Sequence, residues 1–333
     1  MAVSVIEYGM GYIGQMIVEL CLRKGVNVVG AIDTDANLIG RDVGEIIGWG
    51  SDIGVKVTND VQGLLKSIKA DIVCHATATK LEPAYDQIKP FIEAGLNVVS
   101  ISEELAYPWH KYPELSVEID KNAKSHSVTV VGTGVNPGFA MDLLPVTAAS
   151  VCWDVNKIKV QRVADLSFFS VTRGSLRWGK KPDEFRKGIL DGTIPMHTGL
   201  VESATMIADA LGWKLDGVSE TWEPVFSKSV RKVGSITVNP GESTGVIQRA
   251  LGTIKREVKV ELIIYFMFHP VLEEDGVEPG GKIWIEGKPN VTIETKGTAS
   301  MGHYATSARL VNIIPAVLNA KPGLISVLAL PLR

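Results

Sequence analysis

The chain has 333 residues, of which 45% are hydrophobic and 21% charged, and its formal net charge is −3. A chain of this length can bury a sizeable core and usually forms two domains. The small negative charge provides no basic footprint for nucleic acid or an anionic membrane, and no apolar run approaches membrane-spanning length. The composition therefore favours small-molecule chemistry, with no nucleic-acid or membrane partner.

The cysteines and the N-terminus bear on the compartment. Cys21, Cys74 and Cys152 show no C-x-x-C spacing, so we expect reduced thiols in a cytoplasmic protein rather than disulfides. The scattered histidines and cysteines predict no metal site. The first residues enter a predicted strand without a charged region followed by an apolar signal segment, so neither export nor membrane insertion is expected.

A glycine motif lies near the N-terminus. Residues 5–33 read as strand, glycine turn, helix and second strand, with G-x-G-x-x-G in the turn. The first glycine permits the tight turn, the second lets the backbone approach a pyrophosphate, and the third lets the helix pack close to the strand. The helix N-terminus offers free N–H groups to phosphates. The motif predicts a Rossmann domain whose cofactor contacts include Gly9, Met10, Gly11, Tyr12, Ile13 and Gly14.

Asp33 ends the second predicted strand. It follows the last glycine by about 20 residues, where a carboxylate accepts hydrogen bonds from the adenosine ribose hydroxyls. An acid at this point repels a 2′-phosphate, and Thr34 follows it where an NADP enzyme often carries an arginine. NAD is therefore the favoured cofactor. Arg41 lies close enough in sequence to reach a phosphate, which leaves NADP use open.

The rest of the first half alternates strands and helices. Buried parallel strands are predicted at 71–77, 97–102 and 128–134, and helices at 61–68, 85–94, 115–124 and 139–149. Ala76 and Thr77 end the first of these strands, and strand ends lie over the cofactor in open α/β sheets. His75 sits inside that strand, where a core histidine bonded to backbone is favoured over a catalytic one.

The second half has longer alternating segments, at 157–163, 233–238, 257–268, 282–286 and 291–294, with helices at 182–190 and 199–211. Such strands indicate a mostly antiparallel or mixed sheet with one covered face. The predicted fold is α/β, a doubly wound Rossmann sheet followed by an α+β domain. The predicted divisions are a dinucleotide-binding domain at 1–145, a substrate-binding and dimerisation domain at 146–300, and a C-terminal helix and tail at 301–333 that packs back on the Rossmann domain.

Two adjacent carboxylates, Glu103 and Glu104, follow the strand predicted at 97–102. At the carboxyl edge of a Rossmann sheet they stand where nicotinamide and substrate meet. Adjacent residues leaving a strand point in roughly opposite directions, so one carboxylate faces the cleft while the other is solvated or caps a helix. The pair is the leading catalytic candidate, although an acid in a first helical turn also has a purely structural explanation.

Several motifs together carry a family resemblance. They are Gly30-Ala-Ile-Asp-Thr-Asp35 with Gly40-Arg-Asp-Val-Gly44, His75-Ala-Thr77, Ser100-Ile-Ser-Glu-Glu-Leu105 with Tyr107-Pro108-Trp109, and Gly132-Thr-Gly-Val-Asn-Pro-Gly-Phe139 with Met141-Asp142. They resemble the 2,4-diaminopentanoate dehydrogenases, which belong with the native amine dehydrogenases in a wider dihydrodipicolinate-reductase-like group. The resemblance covers most of the chain. It implies a homodimer that uses NAD(P) to interconvert an amine with a ketone plus ammonia.

The resemblance also implies an essential glutamate after the fifth strand. In this chain that residue is Glu103 or Glu104, and Glu104, the second acid, is taken as the catalytic residue. The chemistry requires such a group, because hydride leaves the amine-bearing carbon only when the nitrogen has a free lone pair. One buried carboxylate can remove a proton from the ammonium group, stabilise the iminium and then activate the attacking water. Glu103 is counted among the expected substrate-binding residues.

Other substrate determinants are less specific. Asn136 either positions the nicotinamide carboxamide or the amine, or serves only as a turn residue before a proline. Arg162 and Arg173 either bind a substrate carboxylate through a bidentate contact or form ordinary ion pairs. His197 and His269 either line the pocket as polar groups or bond to backbone carbonyls.

The phenylalanine pair at 168–169 departs from the resemblance, which implies a more basic continuation there. Phe169 indicates a more apolar pocket, which suits a simple amine or ketone better than a dicationic amino acid. The expected substrate is therefore 2,4-diaminopentanoate or a smaller amine. Two alternatives stay open, namely a reductase of a cyclic imine such as dihydrodipicolinate, whose typical paired-histidine stretch is absent from this sequence, and a dinucleotide-binding dimer without turnover.

Overall fold

The computed structural model of the protein describes residues 3–167, 178–194, 196–296 and 302–331. The chain divides into two compact units. Unit 1 comprises Met1–Phe139 and His303–Arg333, and unit 2 comprises Ala140–Gly302. Within the described ranges, no helix combines the length and the apolar character that a membrane crossing requires.

The elements follow one another in an α/β order up to residue 149 and are mostly strands from there to residue 295. In the first part they are β1 (Ser4–Tyr8), α1 (Tyr12–Arg23), β2 (Asn27–Ile32), α2 (Val43–Ile47), β3 (Val57–Thr58), α3 (Val61–Ser67), β4 (Ile72–His75), α4 (Leu81–Glu93), β5 (Asn97–Ser100), α5 (Glu103–Ala106), α6 (Pro113–Ser125), β6 (Thr129–Gly132) and α7 (Leu143–Ala149). They continue with β7 (Val155–Asp165), α8 (Pro182–Leu190), α9 (Leu200–Ala210), β8 (Gly217–Phe226), β9 (Arg231–Val233), β10 (Ile236–Val238), β11 (Ser243–Ile254), β12 (Glu257–Met267), α10 (Leu272–Asp275), β13 (Gly280–Gly287), β14 (Val291–Thr295), α11 (Gly302–Leu318) and β15 (Gly323–Ile325).

Unit 1 contains a seven-stranded sheet in the order β15-β6-β5-β4-β1-β2-β3, with all neighbours parallel. The chain runs outward in one direction from β1 and in the other from β4, so the order reverses between these two strands. Ligands of doubly wound sheets bind at such a reversal, beyond the carboxyl ends of the strands. The predicted Rossmann sheet is confirmed. The short α2, β3 and β15 were not predicted, because elements this short show no periodicity.

The central strands of this sheet are buried along their whole length. β4 and β6 read IVCH and TVVG, and every residue in both is buried. Continuous apolar runs are typical of parallel strands covered on both faces. Val73 and Val130 from these strands pack in one cluster with Ile88 and Phe91 of α4. This packing fixes the strand ends at which the candidate catalytic residues stand.

Unit 2 contains a six-stranded mixed sheet in the order β14-β13-β7-β12-β11-β8, in which only β12 and β7 run parallel. The predicted mixed sheet is confirmed, but β8 and β11 were missed. Gly245 and Gly252 lie inside β11 and resemble turn signals. In β8 half of the residues are exposed, so it lacks a clear apolar alternation. The single strand predicted at 233–238 is instead a hairpin of β9 and β10 that turns at Gly234 (φ 58°).

One face of the unit 2 sheet forms its core. Val160 of β7 and Leu262 of β12 are neighbours in the register, and both pack in one cluster with Ala204 and Ile207 of α9. Side chains alternate between faces along a strand, so residues one position away from these point to the opposite face.

A buried arginine holds a loop of unit 2 against β9. The side chain of Arg231 is 1% exposed, and its guanidinium forms ion pairs with Asp275 at 2.8 Å and Glu274 at 3.1 Å. It also donates to the Ser227 hydroxyl at 2.8 Å and to the His269 carbonyl at 3.1 Å. Arg231 therefore has an evident structural role.

Candidate active site

The glycine turn of unit 1 leaves no room for side chains at two of its three glycines. Gly9 has φ 111°, and a Cβ there would lie 2.5 Å from the Ala76 carbonyl oxygen. A Cβ on Gly14 would lie 1.7 Å from the Gly9 carbonyl oxygen. Around Gly11, in contrast, a Cβ would have no atom of the described residues within 4 Å, apart from its own chain neighbours. The turn is tight where strand and helix pack, and open where a phosphate would approach.

The N-terminus of α1 also suits a dinucleotide. Its N-cap residue is Gly11, which has no side chain that could cap the helix. The first turn, with Tyr12 and Ile13, contains no acid. Asp33 accepts from the amide of Met10 at 2.6 Å and from that of Asp35 at 2.8 Å. Each carboxylate oxygen has a second lone pair, which remains available to a hydroxyl. A helix N-terminus, which is a typical phosphate site, and a carboxylate for a ribose therefore belong to one loop system.

His75 is a buried core residue of β4. Its Nδ1 lies 2.8 Å from the Ser100 hydroxyl, and its Nε2 lies 2.8 Å from the Gln87 side-chain oxygen and 2.7 Å from the Thr77 hydroxyl. Burial lowers the pKa of His75 to about 4, so the ring is neutral at physiological pH. The core reading holds, but the partners are side chains rather than the expected backbone groups. This network also fixes Thr77 just after β4.

Glu104 lies in α5 with its side chain fully buried. One carboxylate oxygen accepts from Lys111 Nζ at 2.6 Å and Lys80 Nζ at 3.0 Å, and the other accepts from the Leu81 amide at 2.8 Å and the Tyr112 hydroxyl at 2.9 Å. Burial alone would raise the pKa of this carboxyl, but these donors together lower it to about 2. Glu104 is a fixed anion that ties α5 to the start of α4 and to the residues before α6.

Glu103 has a different environment, although it is the adjacent residue. Its side chain is half-buried. Burial raises the pKa of Glu103, and the charge of Glu104 adds to the rise, while hydrogen bonds from its own amide and from the Thr79 side chain oppose it. A carboxyl with a raised pKa exchanges protons closer to neutral pH. In this pair Glu104 is an anion held by hydrogen bonds, whereas the pKa of Glu103 is raised. The difference fits two adjacent side chains that leave a strand in opposite directions.

Three partners of Glu104 were not identified from the sequence, namely Lys80, Lys111 and Tyr112. They lie 24 residues before and 7 and 8 residues after it. No periodicity links these positions, and an exposed lysine resembles any other in a sequence. Close packing of β6 beneath α5 supports the arrangement, because a Cβ on Gly132 would lie 2.4 Å from the Ala106 amide. Asn136 follows in the loop after β6 and is buried, 6% exposed.

Arg162 belongs to β7 in unit 2 and is 7% exposed. Its Nε has no hydrogen-bond partner, and within the described residues no carboxylate pairs with its guanidinium. Burial is the sole cause that lowers the pKa of Arg162, to about 10. A Cβ on Gly302 would lie 3.1 Å from one terminal nitrogen of the guanidinium. A buried cation without an anion is costly unless a ligand pairs with it.

His197 is near Arg162 on the same face of the unit 2 sheet. Its amide donates to the Gln248 side chain at 3.2 Å, and the Gln248 amide group donates back to the His197 carbonyl at 2.7 Å. Gln248 of β11 pairs in register with Ile264 of β12, and Ile264 pairs with Arg162 of β7. These three side chains therefore lie in one row across the three strands, on the same face. The His197 ring packs edge-on against Phe266 at 5.3 Å between centroids. The structure therefore brings two of the predicted substrate residues to one patch of sheet.

The other predicted substrate residues are placed differently. His269 follows β12 in a turn with φ 51° and is exposed. Its amide donates to Asp165 at 3.2 Å and its carbonyl accepts from Arg231, so its backbone has a structural role. Phe169 and Arg173 lie outside the described residues and stay predictions.

The parallel sheet of unit 1, its glycine turn and the acid at the end of β2 define a dehydrogenase fold of the dinucleotide-binding class. A family model described as the 2,4-diaminopentanoate dehydrogenase C-terminal domain matches residues 139–333. A 2,4-diaminopentanoate dehydrogenase of Acetoanaerobium sticklandii is 35% identical over 99% of this chain and 93% of its own length. An amine dehydrogenase of Streptomyces virginiae is 25% identical over 99% of this chain and 97% of its own.

The solved structures agree with these relatives. An amine dehydrogenase from Mycobacterium smegmatis superposes with a TM-score of 0.82 at 25% identity, covering 99% of this chain and 97% of that one. A myo-inositol dehydrogenase from Lactobacillus casei superposes at 0.56 with 13% identity, covering 98% and 89%, which shows the shared fold alone. The chain belongs to the 2,4-diaminopentanoate dehydrogenase family, and it is an oxidoreductase that acts on amines. The resemblance identified from the sequence motifs is confirmed.

Proposed function

We propose that the protein oxidises 2,4-diaminopentanoate, or a related small amine that carries a carboxylate, to the ketone plus ammonia, and that it catalyses the reverse reductive amination with NAD as its preferred cofactor. The observation that carries the proposal is the Glu103–Glu104 pair, whose pKa values shift in opposite directions. Pairs of titratable groups with separated pKa values are typical of acid–base sites. Family membership supports the amine as the reacting group.

Proton transfer falls to Glu103 in this proposal. When bound, the oxidised nicotinamide would accept a hydride from the amine-bearing carbon. Glu103 first removes a proton from the substrate ammonium, which frees the nitrogen lone pair, and releases this proton to solvent. The restored carboxylate then takes a proton from the water that adds to the iminium. It returns that proton to the nitrogen of the carbinolamine, which leaves as ammonia as the hydroxyl loses its proton and the ketone forms. The raised pKa of Glu103 makes it a stronger base than an ordinary carboxylate. Its negative charge also stabilises the iminium cation.

Glu104 has the positioning role in this proposal. Its carboxylate is already engaged by four donors, and a carboxyl with a pKa of about 2 is a weak base at neutral pH. By fixing the first turn of α5, it orients the adjacent Glu103. The sequence alone favours Glu104 as the base, and the two assignments differ in which glutamine substitution abolishes turnover.

The test measures NADH oxidation with 2-amino-4-oxopentanoate and other ketones, with and without ammonium. We expect ammonium-dependent turnover. Glu103→Gln should lower kcat by about 10²–10⁴-fold while the NADH dissociation constant and the unfolding midpoint stay near those of the parent. Glu104→Gln is the matched variant. An unchanged rate in Glu103→Gln, together with loss of kcat in a stable Glu104→Gln, would return the base to Glu104. Oxidation without ammonium would redirect the proposal to a ketone or imine reductase.

Arg162 supports a carboxylate on the substrate. A buried guanidinium that lacks an anion can form a bidentate pair with a carboxylate, which is both strong and geometrically specific. Nearby, Gln248 and His197 bond to one another, which keeps this patch of sheet ordered. We propose that Arg162 binds the substrate carboxylate. This favours a carboxylate-bearing amine over the simple amine that the phenylalanine pair suggested.

The preference for NAD rests on the loop after β2. Asp33 presents its carboxylate where a 2′-phosphate would be repelled. Arg41, which left NADP open, forms an ion pair with Glu45 at 2.9 Å, and its other terminal nitrogen lies 3.4 Å from the Asn37 carbonyl. We therefore expect a lower dissociation constant for NADH than for NADPH in a fluorescence titration. Asp33→Ser should narrow or reverse the difference, whereas tighter NADPH binding by the parent would contradict the preference.

A homodimer is proposed through the outer face of the unit 2 sheet. This face carries half-exposed apolar and aromatic side chains, among them Ile247, Tyr265 and Trp284. Its charges are already balanced by neighbours, because Lys159 contacts Glu261 at 3.2 Å and Lys282 contacts Glu294 at 2.7 Å. A face of this kind does not repel a copy of itself, which a two-fold interface requires.

Light scattering coupled to size-exclusion chromatography tests the homodimer. The parent should elute with twice the 35.9 kDa chain mass. Tyr265→Glu places a charge in the centre of the face and should shift the protein to monomer without changing its circular dichroism. A parent that is monomeric at micromolar concentration would contradict the proposal, as would a Tyr265→Glu variant that stays dimeric.

A further inference from the structure

The first turn of α11 lies at the carboxyl edge of the unit 1 sheet, beside the glycine turn. The imidazole of His303 packs against the Tyr12 ring, with 5.3 Å between centroids. Three residues further along α11, the Thr306 hydroxyl accepts from the Val135 amide at 3.2 Å. Tyr12 follows β1 and Val135 follows β6. The start of α11 therefore contacts the loops beyond two strands whose carboxyl ends face the same way.

His303 is a polar ring with no hydrogen-bond partner in the described part of the chain. Its ring lies between Tyr12 on α1 and Tyr304 on its own helix, whose centroid is 4.7 Å away. Among the described residues, these two phenols are the titratable groups whose rings contact it. Burial alone lowers its pKa, with no contribution from a charged neighbour. The imidazole is therefore held neutral in a fixed place without an evident structural bond.

A comparison with His75 shows that this is unusual within the same unit. Both ring nitrogens of His75 have partners, in Ser100, Gln87 and Thr77. That pattern is the one expected of a structural histidine. His303 has aromatic packing that fixes its ring in position. Unlike His75, it has no hydrogen bonds within the described residues that would give its two ring nitrogens a structural role.

We propose that the imidazole of His303 binds the pyrophosphate of the nicotinamide dinucleotide and takes up a proton as it does so. The argument rests on the dinucleotide binding proposed above. Tyr12 is the first residue of α1 and directly follows Gly11, whose surroundings are open. The N–H groups of this helix N-terminus are the expected pyrophosphate site. A ring packed on Tyr12 is a neighbour of that site, and two phosphate charges favour the imidazolium form.

His303 lies outside the glycine motif that predicts the dinucleotide site. G-x-G-x-x-G covers residues 9–14, whereas His303 stands almost 300 positions later in the sequence. Its contribution would be charge-assisted and therefore dependent on pH. Dinucleotide affinity should rise as the pH falls from 8.5 to 6, because protonation of His303 then requires less free energy.

Isothermal titration calorimetry with NADH tests the proposal directly. Titrations at pH 7 in PIPES and in Tris, which differ in ionisation enthalpy, give the number of protons taken up on binding. We expect fractional uptake in the parent protein and none in His303→Asn, which should also bind NADH about tenfold more weakly at pH 6. His126→Asn is the matched control, because His126 is exposed and its ring is bonded to Ser125 and Asn122. This variant should behave as the parent does.

ADP-ribose separates the pyrophosphate contact from any contact with nicotinamide. ADP-ribose retains the pyrophosphate, so His303→Asn should raise its dissociation constant by the same factor as that of NADH. If the parent binds NADH without proton uptake, the proposal is overturned whether or not His303→Asn folds. If the parent binds neither NADH nor NADPH, dinucleotide binding itself fails, which is a different result. A variant that binds ADP-ribose as the parent does would also overturn the role of His303.

Discussion

Two buried arginines of unit 2, Arg231 and Arg162, differ in whether their guanidinium groups have ion-pair partners among the described residues. Arg231 has a side chain 1% exposed, with two carboxylates, a hydroxyl and a carbonyl around its guanidinium. Arg162 is 7% exposed and has no ion pair within the described residues. Desolvation of a charge is offset only by well-placed partners. Arg231 thus stabilises the fold, whereas Arg162 is costly to the fold, which fits our proposal that it binds the substrate carboxylate.

The carboxylates of unit 1 repeat the contrast. Glu104 and Glu7 are both 0% exposed. Four donors surround Glu104 and lower its pKa. Neither oxygen of Glu7 has a hydrogen-bond partner among the described residues, and burial raises the pKa of Glu7 well above the ordinary value. Burial alone therefore does not determine the charge of a side chain. The partners do, and each of the following substitutions removes either a partnered or an unpartnered charge.

The largest effect on stability is expected from Arg231→Leu. This change leaves Asp275 and Glu274 without their cation, and breaking a buried pair typically lowers the free energy of unfolding by about 3–5 kcal/mol. Urea denaturation measures it. Arg249→Leu is the control, since Arg249 forms a more exposed ion pair with Glu223 at 3.3 Å and should change stability by less than about 1 kcal/mol. Equal stability of the two variants would mean that Arg231 does not hold its loop.

Glu104→Gln should have the next largest effect. The pKa of Glu104 in the folded protein, about 2, is below its ordinary value of 4.5. The ionised carboxylate therefore stabilises the fold above pH 4.5, and this stabilisation disappears as the pH falls from 4.5 through 2. The variant should lose about 2–3 kcal/mol at pH 7 and progressively less between pH 4.5 and pH 2. A difference that stays constant across that pH range would show that the loss comes from geometry rather than from charge.

Much of the fold follows from local pattern. The helix α8 has the predicted bounds, 182–190, and the strand, turn and helix around Gly9 were predicted from spacing alone. In contrast, β11 was missed because it contains two glycines that resemble turn signals, and its long pairing with β12 and β8 overrides them. Tertiary pairing, which a single sequence does not display, decided that strand.

The candidate site shows the same division. The sequence located the two adjacent acids, because the end of a strand in a Rossmann sheet marks a site. It did not indicate which acid is locked, since that depends on Lys80, Lys111 and Tyr112, whose positions follow no period. Arg162 was named from its chemistry alone. Only the structure shows that its guanidinium is buried without an ion pair among the described residues.

Arg162→Leu should weaken substrate binding without weakening the fold. The loss of a charge-assisted contact of about 1.5–3 kcal/mol should raise KM for 2-amino-4-oxopentanoate by about ten- to a hundredfold. KM for 2-pentanone, which has no carboxylate, should stay nearly constant, if that ketone is turned over at all. The free energy of unfolding should be unchanged or higher, because a buried unpaired charge is removed. A stability loss like that of Arg231→Leu would show that Arg162 has a structural partner.

Glu7→Gln is expected to have the smallest effect, and one of opposite sign. Glu7 lies on β1 below α1, and a Cβ on Gly14 would lie 2.9 Å from one of its oxygens. Burial is the main cause of its raised pKa, and the neighbouring Cys21 adds to the rise. Because the unfolded chain releases this proton more readily, the stability of the parent falls as the pH rises above 4.5 towards the raised pKa.

Glutamine keeps the shape and the unpaired polar atoms but cannot ionise. The variant should therefore match the parent near pH 4 and exceed it at pH 8 by an amount on the order of 1 kcal/mol, measured by urea denaturation at both pH values. A variant less stable than the parent at pH 8 would instead show that the ionised Glu7 stabilises the N-terminus of α1, in which case this carboxylate would belong with the partnered charges.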